Sequence, residues 1–195
     1  YLDFYSKSIN YPDAFWKEQA KTIKWFKEPT KIVSSDDQKY PVWFEDGELN
    51  ACYLALDKHI EDGFGDEIAI IYDSPVTQQV KKFTYNEVKF EVAKLAGGLQ
   101  SLGLTKGDTA IIYMPMIPKA LFSMLACARI GVTHSVVFGG FAPNELAIRI
   151  DDCKPKVILT ASSGIEIDRL IAYKPFVDEA IEIANQSIYG LSGGI

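Results

Sequence analysis

Between Gly107 and Ala161 short β-branched runs alternate with helical stripes, and this alternation constrains the fold more than any other stretch. Thr109–Met114 is an apolar run rich in Ile, too short for a helix and suited to a strand buried on both faces. Pro118 fits the first position of a helix, and Ala120, Leu121, Met124, Leu125 and Ala128 then recur at helical spacing. Gly131 stops that helix just after Arg129, a cation well placed at a helix C-terminus. Val132–Phe138 is a second strand-like run, Pro143 opens another helix, and Val157–Thr160 is a third strand. The pattern predicts an α/β fold built on a parallel-sheet βαβαβ unit with right-handed crossovers. Ligands of such sheets bind beyond the carboxyl ends of the strands, which points to Phe138, Gly139 and Gly140 and to the loop after Thr160.

The flanks are read in the same way. Residues 1–50 stand outside the alternation and are expected to be mainly helical, an aromatic-rich segment with little core of its own that forms an arm or cap or else a protein-interaction surface. Pro12 at a first helical position starts a helix whose apolar face, Phe15, Trp16, Gln19, Ala20, Ile23 and Phe26, is ended by Pro29. Trp43-Phe44 before Asp46-Gly47 reads as a short strand entering a turn. Asn50 caps a helix that reaches Ile60. Ile68–Tyr72 and Lys81–Phe83 are strands, and Thr84-Tyr85-Asn86-Glu87 is a capping box. The helix it opens carries Val88, Val92, Leu95, Leu99 and Leu102 on one stripe, with Gly103 at its end. Gly97 and Gly98 inside that helix cost about 1 kcal/mol each relative to alanine, and close backbone packing is the expected compensation. Residues 162–169 read as a loop, and Phe176–Ala184 as a helix led in by Tyr173-Lys174-Pro175.

Charge and cysteine usage exclude several classes. The net charge is −6 and no basic stripe is interleaved with aromatics, so no nucleic-acid partner is expected. No apolar run approaches the roughly 20 residues of a membrane span, so no membrane partner is expected either. Cys52, Cys127 and Cys153 are odd in number and far apart, which favours buried thiols over a disulfide framework or a zinc site. His59 and His134 read as packing residues, because no nearby ligand set or triad completes either.

The candidate binding elements each have a plainer reading. Phe138-Gly139-Gly140 admits a close ligand approach, or is a tight turn before Pro143; it is not GxGxxG. Residues 162–169 supply backbone N–H groups and Arg169 to an anion, or are a solvated loop in which Asp168 pairs with Arg169. No phosphate loop carrying a lysine, nucleophile elbow, Cys/His pair or HExxH is present, so no catalytic or metal-ligating residue is assigned.

Two segments carry a family resemblance. FTYNEVKFEVAKLAGGLQSLGLTKGDTAIIYMPM and LACARIGVTHSVVFGGFAPNELAIRIDDCKPKVILTASSGIE resemble the N-terminal portion of short-chain acyl-CoA synthetases, the AMP-forming acetate– and propionate–CoA ligases of the adenylate-forming superfamily. YLDFYSKSINYPDAFWKEQA and WFEDGELNACYLALDKHI resemble the extension before the adenylation domain. The resemblance implies an N-terminal extension over 1–65, the first part of an AMP-binding adenylation domain over 66–183, and an unassigned tail over 184–195. It implies a ligase that uses ATP with Mg²⁺ to turn a short-chain carboxylate into an acyl-adenylate, then passes the acyl group to CoA. The ATP and Mg²⁺ sites are implied to lie outside this chain. Carried over, Phe138, Gly139 and Gly140 line the CoA adenine site, while Glu166, Ile167, Asp168 and Arg169 form a CoA loop with Arg169 toward phosphate. Many relatives have a second arginine where Glu166 stands. IYMPM and LACARIG lean toward the propionate branch, and an intracellular site, cytoplasmic or mitochondrial, is implied. The closing NQSIYGLSGGI departs from the family and is similar to a short piece of an aldehyde dehydrogenase.

Two other readings stay open beside this one. A non-catalytic α/β module would bind CoA or another chain, with self-association of a cut parallel sheet as one form of pairing. A nicotinamide oxidoreductase rests on the α/β pattern and the tail alone, and the missing glycine fingerprint counts against it.

Overall fold

A computed structural model describes residues 1–34, 40–166 and 169–188. The candidate residues Ile167 and Asp168 and the tail from residue 189 lie outside the described residues. The chain divides into two compact units, Tyr1–Lys58 and His59–Ile195. Among the described residues no helix is long and apolar enough to cross a membrane.

The first unit holds helices α1 (Leu2–Asn10) and α2 (Pro12–Ala20). The sequence did not single out α1. Helix α2 stops short of the expected Phe26 because side chains take its last carbonyls: Thr22 Oγ1 donates to Gln19 O at 2.8 Å and Trp25 Nε1 to Ala20 O at 2.8 Å. The backbone then leaves for another partner, the Phe26 N–H donating to Glu48 O at 2.7 Å. The expected strand at Trp43-Phe44 is only an isolated bridge between Val33 and Trp43, and Phe44 has a left-handed φ of 51°. Asn50 does cap, accepting the Tyr53 N–H at 3.0 Å, but Tyr53–Asp57 follows the wider π-helical pattern. Aromatic contacts run Phe4–Phe15–Trp16–Trp43, with centroid separations of 4.7, 5.1 and 5.7 Å.

Asp46 ties the loop of this unit together. Its carboxylate accepts the Thr30 hydroxyl at 2.6 Å, the Lys31 N–H at 3.0 Å and the Thr30 N–H at 3.0 Å. The Thr30 hydroxyl, followed by the Lys31 N–H, lowers the carboxyl from 3.8 to about 2.

In the second unit β1 (Ile68–Ser74) and β2 (Gln79–Thr84) form an antiparallel hairpin. Thr84 then starts α3 (Tyr85–Ser101) with both halves of the capping box: the Glu87 N–H donates to Thr84 Oγ1 at 3.2 Å and the Thr84 N–H to Glu87 Oε2 at 2.8 Å. Val88, Val92, Ala96 and Leu99 are buried, while Leu102 is 69% exposed. The expected close packing at Gly97 and Gly98 is absent, since a Cβ at either would meet no atom within 4 Å.

The core is a three-stranded parallel sheet in the order β4-β3-β5, with β3 (Thr109–Tyr113) between β4 (Thr133–Val137) and β5 (Val157–Thr160). Helix α4 (Pro118–Ile130) joins β3 to β4, and α5 (Pro143–Cys153) joins β4 to β5. Gly131 ends α4 at φ 74°, where an αL cap favours glycine. Side chains of β3 alternate. Ile111 and Tyr113 enter a cluster with Leu146, Ala147, Val177 and Ala180 of α5 and α6 (Tyr173–Ile188). Ile112 packs with Met114 and Ala120 on the other face. Among the described residues the outer edges of β4 and β5 carry no further strand. The expected loop at 162–169 is instead a hairpin, β6 (Ser163–Glu166) and β7 (Arg169–Ala172), and α6 begins directly at Tyr173.

Two outcomes follow for stability. All three tryptophans, Trp16, Trp25 and Trp43, lie in the first unit, so their fluorescence reports its unfolding. Asp46 is ionised more readily folded than unfolded; it therefore stabilises above 3.8, and that stabilisation is lost as pH falls toward about 2. Asp46→Asn is expected to lower the tryptophan-monitored urea midpoint at pH 7, with the gap to wild type closing toward about pH 2. A gap unchanged at that acid limit would remove the carboxylate from this role. In the second unit, Gly97→Ala and Gly98→Ala are each expected to raise stability by about 0.5–1 kcal/mol in calorimetric melts. A fall on either substitution would mean that the helix face is more crowded than its geometry indicates.

Candidate functional site

A cleft of about 460 Å³ opens at the carboxyl ends of β3 and β4. One wall is the turn after β4, with Phe138, Gly139 and Gly140; the other is the stem of the β6–β7 hairpin, with Gly164 and Ile165. Met114, Pro115 and Met116, the chain leaving β3, line it as well. The lining carries no charged side chain among the described residues, so the cleft suits a flat apolar or aromatic group rather than a bare ion.

The turn 138–141 is held from beneath. Tyr113 is fully buried at the end of β3, and its hydroxyl donates to Phe141 O at 2.7 Å. Burial, and then the neighbouring Tyr173, push the Tyr113 phenol above its usual range, so it remains a donor at physiological pH. The Phe141 N–H closes the turn onto Phe138 O at 3.0 Å. Phe138 is left 66% exposed, edge-on to Phe141 at 5.7 Å. Arg149 lies 4.5 Å over the Phe141 ring and is held by Glu145 O at 2.7 Å. A free aromatic face at the rim of a cleft is what a nucleic base stacks on.

The sequence-predicted residues are partly brought together. Phe138, Gly139 and Gly140 line the cleft. Glu166 and Arg169 pair in register at the far end of the hairpin, and Arg169 is not among the described lining residues. Gly164 and Ile165, within the predicted segment 162–169, line the cleft, as do Ile171 and Tyr173, which sequence reasoning missed. Gly164 between small residues and a Tyr directly before a helix carry no motif; only the hairpin pairing brings them to the cleft.

The other titratable groups have structural roles. His134 lies in β4, where burial pushes its pKa below the usual value. His59 stacks at 5.0 Å on Tyr85. Cys52 and Cys127 are buried, and burial raises the Cys127 thiol to about 11, which keeps it protonated. Among the described residues no three His, Cys, Asp or Glu side chains converge on a metal-sized site.

Comparison with known proteins places this geometry in a family. Residues 58–188 match the AMP-binding enzymes, and residues 1–55 match the acetyl-coenzyme A synthetase N-terminus. An uncharacterized protein of Pseudomonas aeruginosa is 55% identical over 184 residues, 94% of this chain and 29% of its own length. The human mitochondrial acyl-CoA synthetase short-chain family member 3 is 53% identical over 183 residues, 94% of this chain and 27% of its own. The acetyl-coenzyme A synthetase of Shewanella frigidimarina is 48% identical over 184 residues, 93% and 28% of the two chains. The chain thus spans under a third of the length of the curated relatives it matches, in their N-terminal portion. With an α/β parallel sheet, a cleft at its carboxyl ends and these matches across both units, the chain belongs to the family of AMP-binding enzymes.

Proposed function

We propose that the chain supplies the CoA-binding side of an AMP-forming short-chain acyl-CoA synthetase. In that reaction a carboxylate attacks the α-phosphorus of ATP, releasing pyrophosphate and leaving an acyl-adenylate. The CoA thiol, losing its proton, then attacks the acyl carbon and AMP departs. The observation that carries the reading is the family match over residues 58–188, joined to an aromatic-rimmed cleft at the expected end of the sheet. Relatives named for acetate and for short acyl chains support acetate or propionate as substrate. An intracellular site, cytoplasmic or mitochondrial, belongs to the same proposal.

In this reading Phe138 offers its exposed ring to the adenine of CoA, and Gly139 and Gly140 form the turn that carries this ring at the cleft. Glu166, Ile167, Asp168 and Arg169 form the loop at the CoA phosphates, with the Arg169 guanidinium as paired donor. The chain divides into an extension over 1–65, the first part of the adenylation domain over 66–183 and a tail over 184–195. Mg²⁺ would enter with ATP, and no residue described here is assigned to it. The free outer edges of β4 and β5 support self-association of the isolated chain.

Equilibrium dialysis of the 195-residue chain against CoA tests the reading. CoA is expected to be retained, and Phe138→Ala, which removes an exposed ring, is expected to weaken retention by roughly tenfold. Arg169→Ala should weaken CoA more than dephospho-CoA. ATP–pyrophosphate exchange by the chain alone is expected to be nil. Absence of CoA retention would overturn the binding assignment, and measurable exchange would overturn the placement of adenylation outside this chain.

A further inference from the structure

Two glycines at the cleft make room for a single ring. A Cβ on Gly139 would stand 2.5 Å from the Tyr173 hydroxyl, 2.9 Å from Cε1 and 3.1 Å from Cζ. A Cβ on Gly164 would stand 2.7 Å from Cε2 of the same ring and 3.2 Å from Cγ of Pro115. Neither glycine adopts the left-handed φ that favours the residue for conformational reasons, so the demand at both positions is for space. Cε1 and Cε2 lie on opposite edges of a phenol. The ring therefore stands between the turn after β4 and the β6 strand, with main chain against each edge.

The ring has little freedom to move. Tyr173 is 5% exposed and meets Tyr113 edge-on, with centroids 5.2 Å apart and planes at 62°. Its own N–H donates to Ser162 O at 3.1 Å, which fixes the start of α6 against the hairpin. Tyr113 in turn holds the far end of the glycine turn through Phe141 O. A side chain confined in this way transmits displacement from one wall to the other, because close-packed interiors do not absorb it.

Resting on the CoA reading of this cleft, we infer that Tyr173 is a positioning residue whose ring sets the separation of the glycine turn and the hairpin, and so the width of the slot in which the CoA nucleotide is held. The two glycines make the claim directional. A methyl at Gly139 meets the hydroxyl at 2.5 Å, which Tyr173→Phe removes, as well as Cε1 and Cζ at 2.9 and 3.1 Å, which it keeps. A methyl at Gly164 meets Cε2, which Tyr173→Phe leaves in place.

The test uses the 195-residue chain, with CoA as probe and amide hydrogen exchange as an independent arm. Gly139→Ala and Gly164→Ala are each expected to weaken CoA binding by about tenfold or more, and each double variant is read against Tyr173→Phe alone. Tyr173→Phe is expected to restore part of the loss in the Gly139→Ala background, where it removes the closest contact, and none of it in the Gly164→Ala background. In the exchange arm, Gly164→Ala is expected to speed exchange of the Phe141 amide, on the far side of the ring. Rescue of both backgrounds or of neither, or exchange faster only within the substituted segment, would overturn the spacer. A wild-type chain that takes up no CoA would overturn the binding assignment instead, and the exchange arm would still decide the spacer. Thermal melts on every variant separate a narrowed slot from an unfolded one, since an unfolded variant speeds exchange everywhere.

Discussion

The burial of β3 on both faces is the constraint on which the second unit depends. Ala110, Ile111, Ile112 and Tyr113 are all removed from water, so each successive side chain must find its own apolar layer. Ile111 and Tyr113 require α5 and α6; Ile112 requires α4 and the chain that leaves the strand. A strand of this kind cannot sit at an edge, and the parallel neighbours β4 and β5 satisfy its main chain on either side. The helices cross over as they do because short connections between parallel strands must pass across a face. Tyr113 closes the series. It is the last residue of the strand, and it spends its hydroxyl on the turn that walls the cleft.

Much of this was legible, and the part that was not has a common cause. Strands β3, β4 and β5 and the helices between them were readable because apolar period, prolines at first helical positions and terminal glycines agree over the whole stretch. The capping box at Thr84 was readable because it is a local chemical unit, and the structure closes both of its bonds. Failures fall where a distant partner decides. Ile23 and Phe26 continue the apolar face of α2, yet a Trp25 indole and a Glu48 carbonyl redirect the backbone. Residues 162–169 look like a polar loop, and only pairing of Ser163–Glu166 with Arg169–Ala172 makes them a hairpin. Gly97 and Gly98 look like a packing device and face open space.

The site shows the same division. Phe138, Gly139 and Gly140 could be singled out from the strand that precedes them. Tyr173 could not, because nothing in its neighbourhood in sequence reveals that Gly139 and Gly164 leave room for its ring. The glycine pair also has a cause beyond both readings open at the sequence level: at Gly139 the close neighbour is a buried side chain of the same protein. The cleft wall and its support are thus one packed object.

Among the described residues no further strand covers the outer edges of β4 and β5, which sets a kinetic condition on this polypeptide in isolation. Closure of β4 and β5 onto β3 is a unimolecular event whose rate is indifferent to concentration. Pairing of a free edge with a second molecule is bimolecular and grows with every added chain. Exposed Val136 beside the β4 edge adds an apolar incentive to that encounter. For this polypeptide in isolation, edge pairing would compete with sheet closure more strongly as concentration rises.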